Sequence, residues 1–249
     1  GDLVSATIIQ HPFKNEGRTQ ASIESVLGKP DDPFIEHRYA IAKEGIVEKI
    51  WQADDIEAIR QTSERTFEQA LESKTDCRDM LFVTIDGVST QDLDDALSIK
   101  KTDNGWQLSI AIADASTFIT QGSPLDKIAA RQGSSIYLPG QKVPMLPEVL
   151  SADLCSLRPD KDRLALICQL DISATGAISN TAYIDAVINS RARLNYDDVA
   201  NFLETGNGNY SEDIKQSLSA LHELAKTRTQ WRIENAQPPE EYPDYRLWL

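Results

Sequence analysis

Asp86, Asp92, Asp94 and Asp95 fall within ten residues, directly after the apolar run Leu81-Phe82-Val83-Thr84-Ile85. Two carboxylates about 4 Å apart repel by roughly 4 kcal/mol at an effective dielectric of about 20. Four on one short loop are tolerable if water separates them, or if a divalent cation sits among them. Oxygen ligands without His or Cys select a hard cation, Mg²⁺ or Mn²⁺. Such a cation, held by carboxylates, commonly serves phosphate chemistry. An Asp-rich loop is also the ordinary form of a solvated turn, because Asp bonds its own backbone there. With 39 acidic residues some clustering is expected. Residue types alone leave both readings open. Position favours the first: Asp94-Asp95 run straight into Ala96-Leu97-Ser98-Ile99, and charge held between strands is costly unless paired or metal-bound. The spacing of a calcium loop is absent.

The elements that must position these residues are legible in part. Residues 81–85 read as a strand, with further strands near 96–101, 106–113, 163–172 and 177–188. Residues 34–45 and 52–73 read as helices, the second with Ile56, Ile59, Phe67 and Leu71 turned inward. Ser123-Pro124 is a helix start, Ser123 at the cap and Pro124 in the first turn, with the helix running to about Gln132. Another helix begins at Tyr196 and ends near Gly206, and a long polar one covers about 211–235 before Pro238-Pro239. Residues 1–28 alternate like two strands, turning at His11-Pro12 and Asn15-Glu16-Gly17, and Gly28–Pro33 reads as a linker. The end, Arg246-Leu247-Trp248-Leu249, is apolar and strand-like.

A hydrophobic content of 41% supports a packed core. No apolar stretch approaches the ~20 residues of a membrane span. The start lacks an initiator Met and a signal peptide, so a processed or excised piece is expected. Cys77, Cys155 and Cys168 form no Cys-x-x-Cys pair, which suits free thiols in a reducing cytoplasm. The net charge of −14 argues against a general affinity for polyanions.

Phe82-Val83-Thr84-Ile85-Asp86 followed by Asp92-Leu93-Asp94-Asp95-Ala96-Leu97 resembles the ribonuclease II (RNB) exoribonucleases. So do Ala111-Ile112-Ala113-Asp114, Tyr137-Leu138-Pro139-Gly140, Pro144-Met145-Leu146-Pro147 and Leu150-Ser151-Ala152-Asp153-Leu154-Cys155-Ser156-Leu157, in that order, over about residues 70–249. The resemblance implies an α+β fold: a mixed sheet with surrounding helices, an RNB-type catalytic domain that is truncated here. Residues 1–30 would be the last strands of a cold-shock (OB-type) barrel, 31–75 a helical connector and 76–249 the N-terminal part of the catalytic domain. The family's later half, with a further Glu and an Arg for the scissile phosphate, lies beyond residue 249, as does an S1 barrel. The rest of the parent chain is therefore an expected partner, beside single-stranded RNA.

The implied activity is Mg²⁺-dependent, processive 3′→5′ hydrolysis of single-stranded RNA to nucleoside 5′-monophosphates in the cytoplasm. By resemblance, Asp86, Asp92 and Asp95 bind Mg²⁺ (or Mn²⁺), directly or through water. Asp94 is the carboxylate most needed for hydrolysis, Tyr137 stacks on the 3′-terminal base, and Tyr196 contacts RNA in the channel. Asp114 reads as a turn former, and Trp106, Trp231 and Trp248 as core or interface packing residues. A non-catalytic RNA-binding or regulatory relative is the alternative; a metal-dependent phosphatase would need a different motif context. Intact Asp86, Asp92, Asp94 and Asp95 favour the enzyme, and a missing later half favours the binder for this piece alone.

Overall fold

The computed structural model describes residues 1–11, 13, 17–46 and 51–236. The expected turn at Pro12 and Asn15-Glu16, the Pro238-Pro239 stop and the apolar tail at 246–249 lie outside the described residues. Contacts divide the chain into two units, residues 1–50 with 128–145 and residues 51–127 with 146–248.

The second unit carries the carboxylates. Its strands are β3 (Thr75–Asp76), β4 (Phe82–Asp86), β5 (Asp95–Thr102), β6 (Gly105–Ala113), β9 (Asp162–Ser173) and β10 (Ile178–Asn195). They form a six-stranded mixed sheet of order β3-β10-β4-β5-β6-β9, and β10 also pairs with β9. That last pairing closes a ring. The 18-residue β10 makes it possible. Its first two-thirds run antiparallel to β9, from Ile178–Ile172 to Asn189–Asp162. Its last part runs parallel to β4, from Ser190–Phe82 to Asn195–Asp86. Closure removes open strand edges.

Small residues meet across neighbouring strands of the ring. Ala96 faces Ala111, Ala113 faces Ala165, and Ala165 faces Ala186. Phe82, Ile167, Ile188 and Leu157 fill the space that these alanines leave. Alternation on β4 then splits two cores. Phe82 enters the ring interior, while Val83 packs outward with Leu194, Val199, Phe202 and Leu218. Both are 0% exposed, as expected for a strand covered on both faces.

Helices α4 (Tyr196–Thr205) and α5 (Glu212–Asn235) supply that outer cover. Asn195 Oδ1 accepts from the Asp198 N–H at 2.9 Å, Ser211 Oγ caps α5, and Gly206 closes α4 at φ 75°. Although α5 is polar overall, it buries Leu218 and Leu224. Helix α2 (Ala53–Leu71) leaves Ile56 exposed, while Ile59 packs beside Leu150 and Ser63 is buried. Inward positions thus follow Ile59 rather than Ile56. Strand β10 runs seven residues past the expected end at 188, because β4 takes over as its partner where β9 stops.

The first unit contains the antiparallel pair β1 (Leu3–Gln10) and β2 (Gln20–Gly28) and helix α1 (Ile35–Lys43). The linker is an ordered turn. Lys29 N–H donates to Asp32 at 2.9 Å, and Arg38 donates to the carbonyls of Leu27 and Pro33 at 2.8 Å each. Helix α3 (Pro124–Gln132) starts as expected, with Ser123 Oγ accepting from Asp126 N–H at 3.1 Å. It is followed by the hairpin β7 (Ile136–Leu138) and β8 (Gln141–Val143), turning at Pro139-Gly140 with Gly140 at φ 73°. No helix among the described residues is long and apolar enough to cross a membrane.

Candidate active site on the strand rim

The carboxylates gather where β4 ends and β5 begins. Asp86 is the last residue of β4, registered against Asn195, and Asp95 is the first of β5, registered against Ile112. The loop between them is held by its backbone. Thr90 N–H donates to Gly87 O at 3.1 Å, which turns the chain after Asp86. Arg193, on β10, donates from one guanidinium nitrogen to Val88 O and Thr90 O, both at 2.7 Å.

The second half of the loop is tied from the opposite side. Ser156 is 0% exposed. Its Oγ accepts from Leu93 N–H at 3.1 Å and donates to Gln91 O at 2.8 Å. Leu157 N–H donates to Leu93 O, and Ala113 N–H to Asp94 O, each at 2.9 Å. Leu93 is 2% exposed and enters the ring core. Leu93 is thus the buried residue of the loop, while Asp92 is half-buried and Asp94 exposed on either side of it.

Electrostatics single out Asp86. Burial pushes its carboxyl above the usual range, and repulsion from Asp95, Asp94 and Asp92 adds to this, while Arg193 opposes it. Its Oδ2 is buried and has no hydrogen-bond partner. A buried acceptor without a donor normally costs ~1–3 kcal/mol. A cation relieves both the orphaned oxygen and the repulsion, so the residues present fit a hard divalent ion. Among the described residues, no three His, Cys, Asp or Glu side chains converge as the ligands of one ion. Mg²⁺ is commonly held by one or two carboxylates, with water and substrate phosphate completing the shell, and this rim offers that number.

Asp114, just after the end of β6, is held by a separate set of bonds. It accepts from Lys74 at 3.0 Å, from Ser116 and from Thr117. Despite burial, those bonds and the Lys74 charge hold its carboxyl at about 2. Trp106 is buried in the outer core, and Trp231 packs under the Arg228 guanidinium at 4.7 Å. Cys155 is buried, which pushes its thiol up to about 12.

The two tyrosines occupy different units. Tyr196 begins α4, one residue beyond the register partner of Asp86, and is 58% exposed. Tyr137 sits on strand β7, 66% exposed, with Lys142 Nζ 5.3 Å from its ring centre. Sequence reasoning missed Ser156 as a ligand of the loop backbone and Arg193 as its clamp. No local signal marks either one, because both reach the loop across more than 60 residues of chain.

These features define a class: an α+β domain whose closed mixed sheet delivers a row of aspartates to one rim. Residues 74–247 match the model of the RNB domain, and the chain belongs to that family. It is 37% identical to the Exoribonuclease 2 of Salmonella newport over 254 aligned residues, covering all of this chain and 38% of that protein. The Exoribonuclease 2 of Pectobacterium atrosepticum is 35% identical with the same coverage. The chain thus spans about two-fifths of the length of the curated relatives that it matches. Among solved structures, Mycoplasma genitalium RNase R in complex with double-stranded RNA superposes with a TM-score of 0.82 at 32% identity, over 93% of this chain and 41% of that one. A yeast pseudonuclease shares the fold at a TM-score of 0.71 and 20% identity, over 94% of this chain and 29% of that one.

Proposed function

We propose that the protein carrying this chain is a 3′→5′ exoribonuclease that degrades single-stranded RNA processively to nucleoside 5′-monophosphates, with Mg²⁺ or Mn²⁺ as cofactor. The observation that carries this reading is the buried, partnerless Oδ2 of Asp86 amid three further carboxylates. Asp86, Asp92 and Asp95 would hold the ion, one or two of them directly and the rest through water. When bound, it would neutralise phosphate charge and lower the pKa of the attacking water. Asp94 would orient the attacking water from the exposed face of the loop and take its proton, and the departing 3′-oxygen would leave as a hydroxyl by taking up a proton as the phosphorus–oxygen bond breaks.

Tyr196 and Tyr137 offer exposed rings on which bases stack. Stacking is worth roughly 1–3 kcal/mol per base and tolerates every sequence, which suits an enzyme that must accept each nucleotide in turn. The acidic chain needs basic surface from elsewhere in the parent protein, so the later part of the catalytic domain and RNA-binding barrels are its proposed partners. In the same reading, residues 1–30 are the end of a cold-shock barrel, 31–75 the connector and 76–249 the start of the catalytic domain, in a cytoplasmic enzyme. The intact row of four aspartates favours this over a non-catalytic relative. Incubating the complete protein with RNA labelled at its 5′ end tests it. Early release of unlabelled nucleoside 5′-monophosphates, with the label kept in a short end product, supports the proposal. Labelled mononucleotide from the first time point, or uncut RNA with Mg²⁺ present, refutes it.

A further inference from the structure

We infer that Ser156 is a positioning residue for the carboxylate loop: its hydroxyl sets where Asp92 and Asp94 point and so governs cation binding at the rim. The inference rests on the hydrolytic reading above.

Three observations carry it. First, the Ser156 hydroxyl contacts both flanks of Asp92, accepting from Leu93 N–H and donating to Gln91 O. One side chain therefore defines the backbone on each side of one carboxylate and immediately before another. Secondly, Ser156 is 0% exposed. Without its hydroxyl the buried Leu93 N–H and the Gln91 carbonyl lose their partner. Thirdly, the base on which it stands is rigid. Arg163 Nε donates to Ser156 O at 2.9 Å, and the neighbouring Leu157 N–H donates to Leu93 O. The Ser156–Leu157 pair thus grips residues 91–93 by three hydrogen bonds.

Ser156, being 0% exposed, offers no surface to RNA. It acts through the loop, as outer partners of metal ligands do, and losing such a partner typically costs about 10–100-fold in metal affinity or activity. A merely structural hydroxyl would lower stability without moving cation affinity. Ser109 is the matched control: it is 1% exposed, bonds Gln169 at 3.2 Å, and lies in the same sheet away from the loop.

The experiment uses the complete protein with Mn²⁺ as the probe. Free Mn²⁺ is counted by its electron paramagnetic resonance signal, RNA affinity by fluorescence anisotropy without metal, and cleavage by single turnover at saturating RNA. Ser156→Ala is expected to weaken Mn²⁺ binding and slow cleavage by about tenfold or more each, with RNA affinity within about twofold of the parent. Ser109→Ala is expected to leave all three unchanged. Ser156→Cys keeps the shape with a weaker donor and acceptor, and should fall between parent and Ala; it carries the test if the Ala variant does not fold. Mn²⁺ affinity equal to that of Ser109→Ala overturns the inference. Failure of the parent itself to bind Mn²⁺ overturns the hydrolytic reading instead.

Discussion

Replacing Asp86 by Asn separates two consequences of one carboxylate. Without a cation, Asp86 is a cost to the fold: it is half-buried, its buried Oδ2 has no donor, and Asp95, Asp94 and Asp92 repel it. Asn keeps the shape and removes the charge. An orphaned buried acceptor costs ~1–3 kcal/mol, and the amide recovers part of this, so the metal-free variant should gain about 1 kcal/mol. For a domain of this size that is about 2–4 °C in Tm. With a cation the order reverses. Mg²⁺ at about 100 times its Kd stabilises the parent by ~2.7 kcal/mol, and the variant should lose most of that. The two thermal curves therefore cross: Asn is the more stable without Mg²⁺ and the less stable with it. The pH dependence has a definite sign. Because the folded carboxyl titrates above its ordinary value, the penalty is full above that folded pKa and is relieved as pH falls through it. The metal-free advantage of Asn should be largest at neutral pH and shrink in acid. Thermal unfolding of the complete protein, with and without Mg²⁺ at two pH values, reads all of this. An Asn variant that melts lower without Mg²⁺ and keeps the full Mg²⁺ shift refutes the reasoning.

Asp94→Asn should abolish hydrolysis, by about 10²–10⁴-fold or more in single turnover, while RNA affinity stays within about twofold; ordinary turnover would remove Asp94 from the mechanism. Tyr196→Ala and Tyr137→Ala should each weaken RNA binding by roughly 1–3 kcal/mol irrespective of base, as anisotropy with homopolymers would show. Asp114→Asn leaves Lys74, only 9% exposed at its side chain, with Asp185 as its remaining carboxylate. That variant should lose about 1–2 kcal/mol at neutral pH, seen as a lower denaturation midpoint. Since the Asp114 carboxyl sits at about 2 in the fold, its contribution in the parent is full above its unfolded pKa and fades as pH falls through that value towards 2. An acid-unfolding profile of the variant should lack this component.

Much of this arrangement is written in local patterns. The apolar run ending at Asp86, the second run beginning after Asp95, the cap at Ser123 and the stop near Gly206 are signals over a few residues, and the structure follows them. The closed ring is not local. It depends on β10 changing partner between Asn189 and Ser190, where Ser190-Arg191-Ala192-Arg193 gives no strong strand signal by composition. Ile56 shows the limit of periodicity: it falls on the helical repeat of Ile59 yet stays exposed, because α2 meets the core of Val149 and Leu150 from Ile59 onward, with Ser63 buried one turn later. The carboxylates are readable because charge between strands is unusual. Their support is not, since Ser156 and Arg193 are ordinary residue types whose roles arise only when distant segments meet.

The central claim is that this row of aspartates holds a cation that acts on RNA. Anomalous diffraction from the complete protein carrying Asp94→Asn, crystallised with Mn²⁺ and single-stranded RNA, tests it most directly. A peak about 2.1 Å from oxygens of Asp86 and of Asp92 or Asp95, in contact with the phosphate nearest the RNA 3′ end, is the predicted result. RNA bound with its 3′ end at the rim, and no anomalous peak among these carboxylates, would contradict it.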